Sequence, residues 1–194
     1  PNGDGSSLTG ISSLPSQSSQ SGKFLTTNGS AASWGEVGAG LVLLSTITAS
    51  GASTVDIETT LNSTYDTYKI LCSSITNSAG AAFHMRLKIG GTYLTSGYMY
   101  HVSSPDSNQA IYQAVVSASQ GRIPVSGDIS DIGRDSGESA GFSLTIRQPD
   151  ISKNQILSWS GEFYEADRAF IVSGAGGNTT AGVLTGVRFF SEGA

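Results

Sequence analysis

Along residues 83–89 every second side chain is apolar: Phe83, Met85, Leu87 and Ile89 alternate with His84, Arg86 and Lys88. A strand points successive side chains to opposite faces, so this stretch predicts a half-buried β-strand, and the Gly90-Gly91 pair after it predicts a hairpin turn. His84 is expected in solvent beside Arg86 and Lys88. The same period recurs at Val55, Ile57, Thr59 and Leu61, at Phe142, Leu144 and Ile146, and at Leu157, Trp159, Gly161 and Phe163. Further strands are read over residues 65–72, running on to Ile75, and over 93–94, 98–102, 111–118, 170–173 and 183–190. Ile123-Pro124-Val125, with Ile129, reads as an edge piece, because proline has no N–H to give to a ladder. Leu41-Val42-Leu43-Leu44 breaks the alternation; such a run fits either a strand covered on both faces or a contact between subunits.

The chain before residue 35 has a different pattern. Residues 1–21 hold Ser, Gly and Gln around Leu8, Ile11 and Leu14. So little apolar surface does not offset an ordering cost of about 1–2 kcal/mol per residue. The segment is then either a flexible linker or one strand of a shaft in which several copies bury those side chains against each other. Asn28-Gly29, between Phe24-Leu25-Thr26 and Trp34, predicts a hairpin closed by a type I′ turn. The chain is thus divided into an extended shaft or neck segment, 1–34, and a globular domain, 35–194. Short strands with no helical period between them make that domain all-β, an antiparallel β-sandwich of jelly-roll type.

Composition removes several function classes. With 25 glycines, 13% charged residues and a net charge of −5, the chain has no basic stripe to follow a phosphate backbone, so no nucleic-acid partner is expected. The apolar run around Leu41 is far shorter than a membrane helix, and no basic-then-apolar leader opens the chain, so no membrane insertion is expected. With Pro1 as the first residue, an upstream part is expected. Cys72 is the single cysteine, which excludes an intrachain disulfide and a cysteine zinc site; within an apolar strand it reads as a buried, inert thiol.

Catalytic patterns are equally thin. His84 and His101 are the only histidines, and no Gly-x-Ser-x-Gly elbow accompanies them. Asp128, Asp131, Asp135 and Glu138 do not follow a calcium-loop spacing and enclose Arg134, so a solvated turn is expected there. Glu162, Glu165 and Asp167 read as surface charge at a strand end, and Gly174-Ala175-Gly176-Gly177-Asn178 as a flexible loop. No enzyme activity, cofactor or metal is expected.

Several stretches carry a resemblance. Gly3-Asp4-Gly5-Ser6-Ser7-Leu8-Thr9-Gly10-Ile11 and Gly22-Lys23-Phe24-Leu25-Thr26-Thr27-Asn28-Gly29-Ser30 lead into the head. Within it stand Tyr65-Asp66-Thr67-Tyr68-Lys69-Ile70, the Met85 to Tyr98 stretch with Gly90-Gly91-Thr92, and Gly186-Val187-Arg188-Phe189-Phe190-Ser191. Together these resemble tailed-bacteriophage tail fibre and receptor-binding (fibre head) proteins. The resemblance implies a non-enzymatic structural protein of the virion surface, a tail fibre or spike tip that mediates adsorption to the host. It favours the shaft over the linker, and implies a homotrimer touching through Leu8, Ile11, Leu14, Phe24 and Leu25, joined to other virion proteins by the upstream part. Tyr98, Tyr100 and His101, with the polar turn 103–109 that holds Asp106 and Asn108, are the candidate contacts to a cell-surface glycan or protein, since aromatic faces stack on sugars; packing of the tyrosines inside a strand is the competing reading. The alternatives are a head or collar fibre or decoration protein, a secreted carbohydrate-binding module, and a depolymerase domain.

Overall fold

The computed structural model describes residues 15–36, 40–58, 61–77, 81–108, 110–127, 132, 137–165 and 167–191. The strands are β1 (Lys23–Thr27), β2 (Ala32–Glu36), β3 (Thr54–Ile57), β4 (Thr67–Ile75), β5 (Phe83–Ile89), β6 (Thr92–Tyr93) and β7 (Tyr98–Pro105). They continue with β8 (Ile111–Gln120), β9 (Ile123–Pro124), β10 (Ala140–Arg147), β11 (Lys153–Glu165), β12 (Arg168–Gly182) and β13 (Leu184–Ser191). No helix occurs among the described residues, and every strand pair is antiparallel. The chain divides into two compact units, Pro1–Thr46 and Ile47–Ala194. That division falls later than the Trp34 boundary read from the sequence.

The first unit is built on the β1–β2 hairpin, in which Thr27 pairs with Ala32. The loop between them is longer than the expected type I′ turn: Gly29 has φ +91°, whereas Asn28 stays out of the positive-φ region. The Asn28 side chain closes the loop, its Oδ1 accepting the N–H groups of Ser30 and Ala31 at 2.9 Å each. This asparagine shapes the turn through its carbonyl instead of its backbone. Trp34 Nε1 donates to the carbonyls of Pro15 and Ser16 at 3.2 and 2.9 Å, tying residues 15–16 to the hairpin. Phe24 and Leu25 remain 47% and 45% exposed. None of residues 15–35 and 40–46 is buried.

The second unit is a sandwich of two sheets about one apolar core. A six-stranded sheet runs β4-β10-β11-β12-β7-β8, and a five-stranded sheet runs β3-β13-β5-β6, with β9 also on β5. Alternation sets the inner faces: Phe142, Leu144, Ile146, Leu157, Trp159 and Phe163 from the large sheet meet Met85, Leu87, Val187 and Phe189 from the small one. Phe83 stacks on Phe142 at 5.7 Å and on Phe189 at 5.4 Å, joining both sheets.

Polar atoms stitch the two layers. Strand β5 is only partly covered along one edge, by β6 at Lys88 and Ile89 and by β9 at His84 and Met85. In the gap, the fully buried Tyr98 accepts the Leu87 N–H at 2.7 Å and donates its hydroxyl to the Leu94 carbonyl at 3.2 Å. Trp159 Nε1 likewise donates to the Val125 carbonyl at 3.1 Å. These bonds give backbone groups between the layers their partners.

Two expectations change here. The glycine-rich stretch 174–178 is not a loop but the middle of β12. Across the large sheet one inner row reads Ile70, Leu144, Trp159, Gly174, Val102, Ala114. A Cβ on Gly174 would overlap the indole of Trp159, and one on Gly176 would lie 2.7 Å from both Tyr100 Cβ and the Met99 carbonyl oxygen, so Gly174 makes room for the Trp159 ring and Gly176 for the close approach of β7. His84 is 3% exposed instead of solvated, because the Phe190 ring lies 5.4 Å away and β9 pairs beside it at Pro124. Burial, with Arg122 and Arg86 nearby, holds its imidazole down at a pKa of about 3, so it is neutral.

Candidate functional site

The residues singled out for host contact are not brought together. Tyr98 and Tyr100 are 0% and 5% exposed, so both leave the set of surface contacts: they face inward from β7, and Tyr98 spends its hydroxyl on Leu87 and Leu94. His101, the residue between Tyr100 and Val102, points the other way and is exposed. It sits in an outer row across the large sheet: Lys69, Thr145, Ser158, Ala175, His101.

The polar turn is shorter than 103–109, since Ser103, Ser104 and Pro105 belong to β7. Asp106 holds it together. Its Oδ1 accepts the N–H groups of Asn108 and Ala110 at 2.9 Å each, while Oδ2 takes Arg168 Nη1 at 3.1 Å. These donors hold its carboxyl below the usual aspartate range against the opposing effect of desolvation. With its side chain 0% exposed, Asp106 is a loop clamp and not a receptor contact. Asn108 is exposed at the tip. Leu8, Ile11 and Leu14 lie outside the described residues, as do Asp128, Asp131 and Asp135 of the acidic set.

The outer face of the small sheet carries a connected set of charges. Arg188 grips Asp56 with two bonds of 2.7 Å, from Nε to Oδ1 and from Nη2 to Oδ2. Its guanidinium lies 4.1 Å from the centre of the Tyr93 ring, and Lys88 Nζ lies 5.5 Å from the same ring. Tyr93 donates its hydroxyl to Glu58 Oε1 at 2.9 Å, and Lys88 bonds Glu58 Oε2 at 2.9 Å. The Arg188 hydrogen bonds draw the Asp56 carboxyl below its ordinary pKa, and burial pushes the Tyr93 phenol up. Each group in this set is answered by another, so the cluster braces β3, β5, β6 and β13 and offers no reactive group.

The large sheet presents the opposite surface. A second outer row reads Leu71, Ser143, Ser160, Ser173, Ser103, Gln113, hydroxyl-rich and uncharged. Beside it, Gly141 pairs with Glu162 and leaves an open hollow of about 390 Å³, lined by Leu71, Ser73, Gly141, Ser143, Ser160 and Glu162. A Cβ on Gly141 would come within 2.7 Å of Glu162 Oε1, so the carboxylate lies across the space that the missing side chain vacates. Tyr164, two residues on and therefore on the same face, is 42% exposed. Hydroxyls, a carboxylate acceptor and an aromatic face are the groups that hold a sugar ring.

The expected surface charge at Glu162 is exposed, and it stands within β11 beside the hollow. The signal was available in the alternation of Leu157, Trp159, Gly161 and Phe163, which sends Ser158, Ser160, Glu162 and Tyr164 outward together. Among the described residues, no three His, Cys, Asp or Glu side chains stand close enough to hold a metal ion. No family model matches the chain, and no curated protein or solved structure matches it.

Proposed function

We propose that this chain is the terminal part of a phage fibre or spike, a structural protein of the virion surface that adsorbs to the host cell. The observation that carries the reading is the pairing of an N-terminal unit with no buried residue among 15–35 and 40–46 and a sandwich with a complete core of its own. A thin segment that needs partners, followed by a self-sufficient head, is what a fibre tip requires. The strand order supports a jelly roll. The chain alternates between sheets, with β3 in the small sheet, β4 in the large, β5 in the small and β7–β8 in the large, and the last strand β13 returns to lie between β3 and β5. The meander β10–β12 then stands where a simple jelly roll has one strand.

Host contact is assigned to a surface glycan at the hollow around Gly141, with Glu162 accepting sugar hydroxyls and Tyr164 supplying the stacking face. In this reading the protein works as a homo-oligomer, a trimer by the resemblance, with Phe24 and Leu25 facing other copies. The experiment is binding of the fluorescently labelled full chain to a panel of bacterial strains. The expected result is saturable binding to some strains, reduced at least tenfold by Tyr164→Ala with Glu162→Gln at an unchanged melting temperature. Binding to none at micromolar concentration would overturn adsorption, and binding indifferent to both substitutions would remove the hollow as the contact.

A further inference from the structure

For the run beginning at Leu41 the sequence left two readings, a strand covered on both faces or a contact between subunits. The structure removes the first. Residues 41–47 belong to no strand, and Leu41, Val42, Leu43, Leu44 and Ile47 are 72%, 52%, 83%, 44% and 50% exposed. We propose that residues 41–47 are the self-association segment of this protein, buried in the assembly against the same run of neighbouring copies. The proposal rests on the homo-oligomer reading above and moves its principal contact from Leu8, Ile11 and Leu14 to this run.

Three observations favour a second copy as the occupant. The first is area: the five side chains expose about 500 Å² per copy, as much as the largest apolar patch of a typical monomer, concentrated in a single short segment. Two copies together come to about 1,000 Å² and three to about 1,500 Å², on either side of the roughly 1,200 Å² at which specific interfaces begin. The second is charge. No Asp, Glu, Lys or Arg occurs between Glu36 and Asp56, although the chain as a whole carries −5. Identical copies bring like charges opposite each other wherever they meet near a symmetry axis, and this is a stretch in which that repulsion is absent. The third is need. The first unit has no buried residue among 15–35 and 40–46 with which to cover the run, and its hairpin leaves Phe24 and Leu25 exposed as well. Every copy has the same deficit, and one symmetric arrangement removes it for all.

The test is sedimentation velocity on the full chain at micromolar concentration. The expected result is an oligomer that Leu41→Ser with Leu43→Ser weakens at least tenfold, at an unchanged melting temperature of the head, and that deletion of residues 1–21 leaves assembled. A monomeric full chain, or a double variant that assembles as well as the parent, overturns the proposal, as does a monomer that floats with phosphatidylcholine vesicles. Leu43→Cys gives a second measurement: under diamide, thiols of two neighbouring copies form one disulfide and pass two electrons and two protons to the diazene. A covalent dimer is expected, and an uncrosslinked chain counts against the contact. Neither readout depends on cell binding, so failure of the adsorption reading leaves both standing.

Discussion

The hairpin unit and the sandwich hold their shapes by different means. In the hairpin, order rests on backbone pairing, two bonds to Asn28 Oδ1 and the Trp34 indole on residues 15–16, all near solvent. In the sandwich the hydrogen bonds that matter are buried between layers, and large rings fit against glycines. An isolated two-stranded hairpin is marginal in water, whereas stacked sheets bury enough apolar surface to be stable alone. The sandwich is therefore expected to melt as one unit, with the hairpin responding separately.

The strongest way to break this contrast is Trp159→Ala. It opens a cavity at the centre of the large sheet and orphans the Val125 carbonyl, with an expected loss of about 3–5 kcal/mol in denaturant unfolding of the head. An unchanged midpoint would contradict the packing of Trp159 against Gly174. Tyr98→Phe keeps the ring but strands the Leu87 N–H and the Leu94 carbonyl, for an expected loss of about 1–3 kcal/mol in the same assay.

Acid sharpens the contrast. His84 titrates near 3 when folded and near 6.5 when unfolded, so between those values the unfolded chain binds more protons. Its contribution to stability is intact above pH 6.5 and declines as the pH falls towards 3, by about 2 kcal/mol at pH 5. His84→Phe should flatten the melting temperature between pH 6.5 and 5, and an unchanged slope would count against the buried neutral imidazole. The smallest effect belongs to the hairpin: Asn28→Ala should cost under about 1 kcal/mol locally. Amide exchange at Ser30 and Ala31 then rises, with no shift in the melting of the head.

Strands with clean alternation were legible from sequence, because burial on one face writes a period of two into β5, β10 and β11. Three features escaped for identifiable reasons. Glycines 174, 176 and 177 carry a turn signal in isolation, and only what lies across the sheet explains them as strand residues: the Trp159 ring at Gly174, the Met99 carbonyl and Tyr100 Cβ at Gly176, and the Gln155 carbonyl at Gly177. His84 was assigned to solvent by parity, yet parity states which face a residue occupies and not what covers that face. Tyr98 and Tyr100 have the composition of a binding loop, but their inward direction depends on the register with β12. For the hollow, the outward set ending at Glu162 and Tyr164 was readable, whereas the gap at Gly141 needed the β10–β11 pairing.

Cys72 has a practical consequence. It sits on β4, the edge strand of the large sheet opposite β8, packed against the core, and burial raises its thiol to about 11. Cys72 is half-buried, and at neutral pH little thiolate exists while β4 stays docked, so alkylation is slow there and quickens when that strand detaches. The rate of labelling by iodoacetamide under native conditions is thus a clock for the breathing of one sheet edge, already installed in the natural sequence. Set beside global unfolding, it tells whether the sandwich opens from its rim or only all at once.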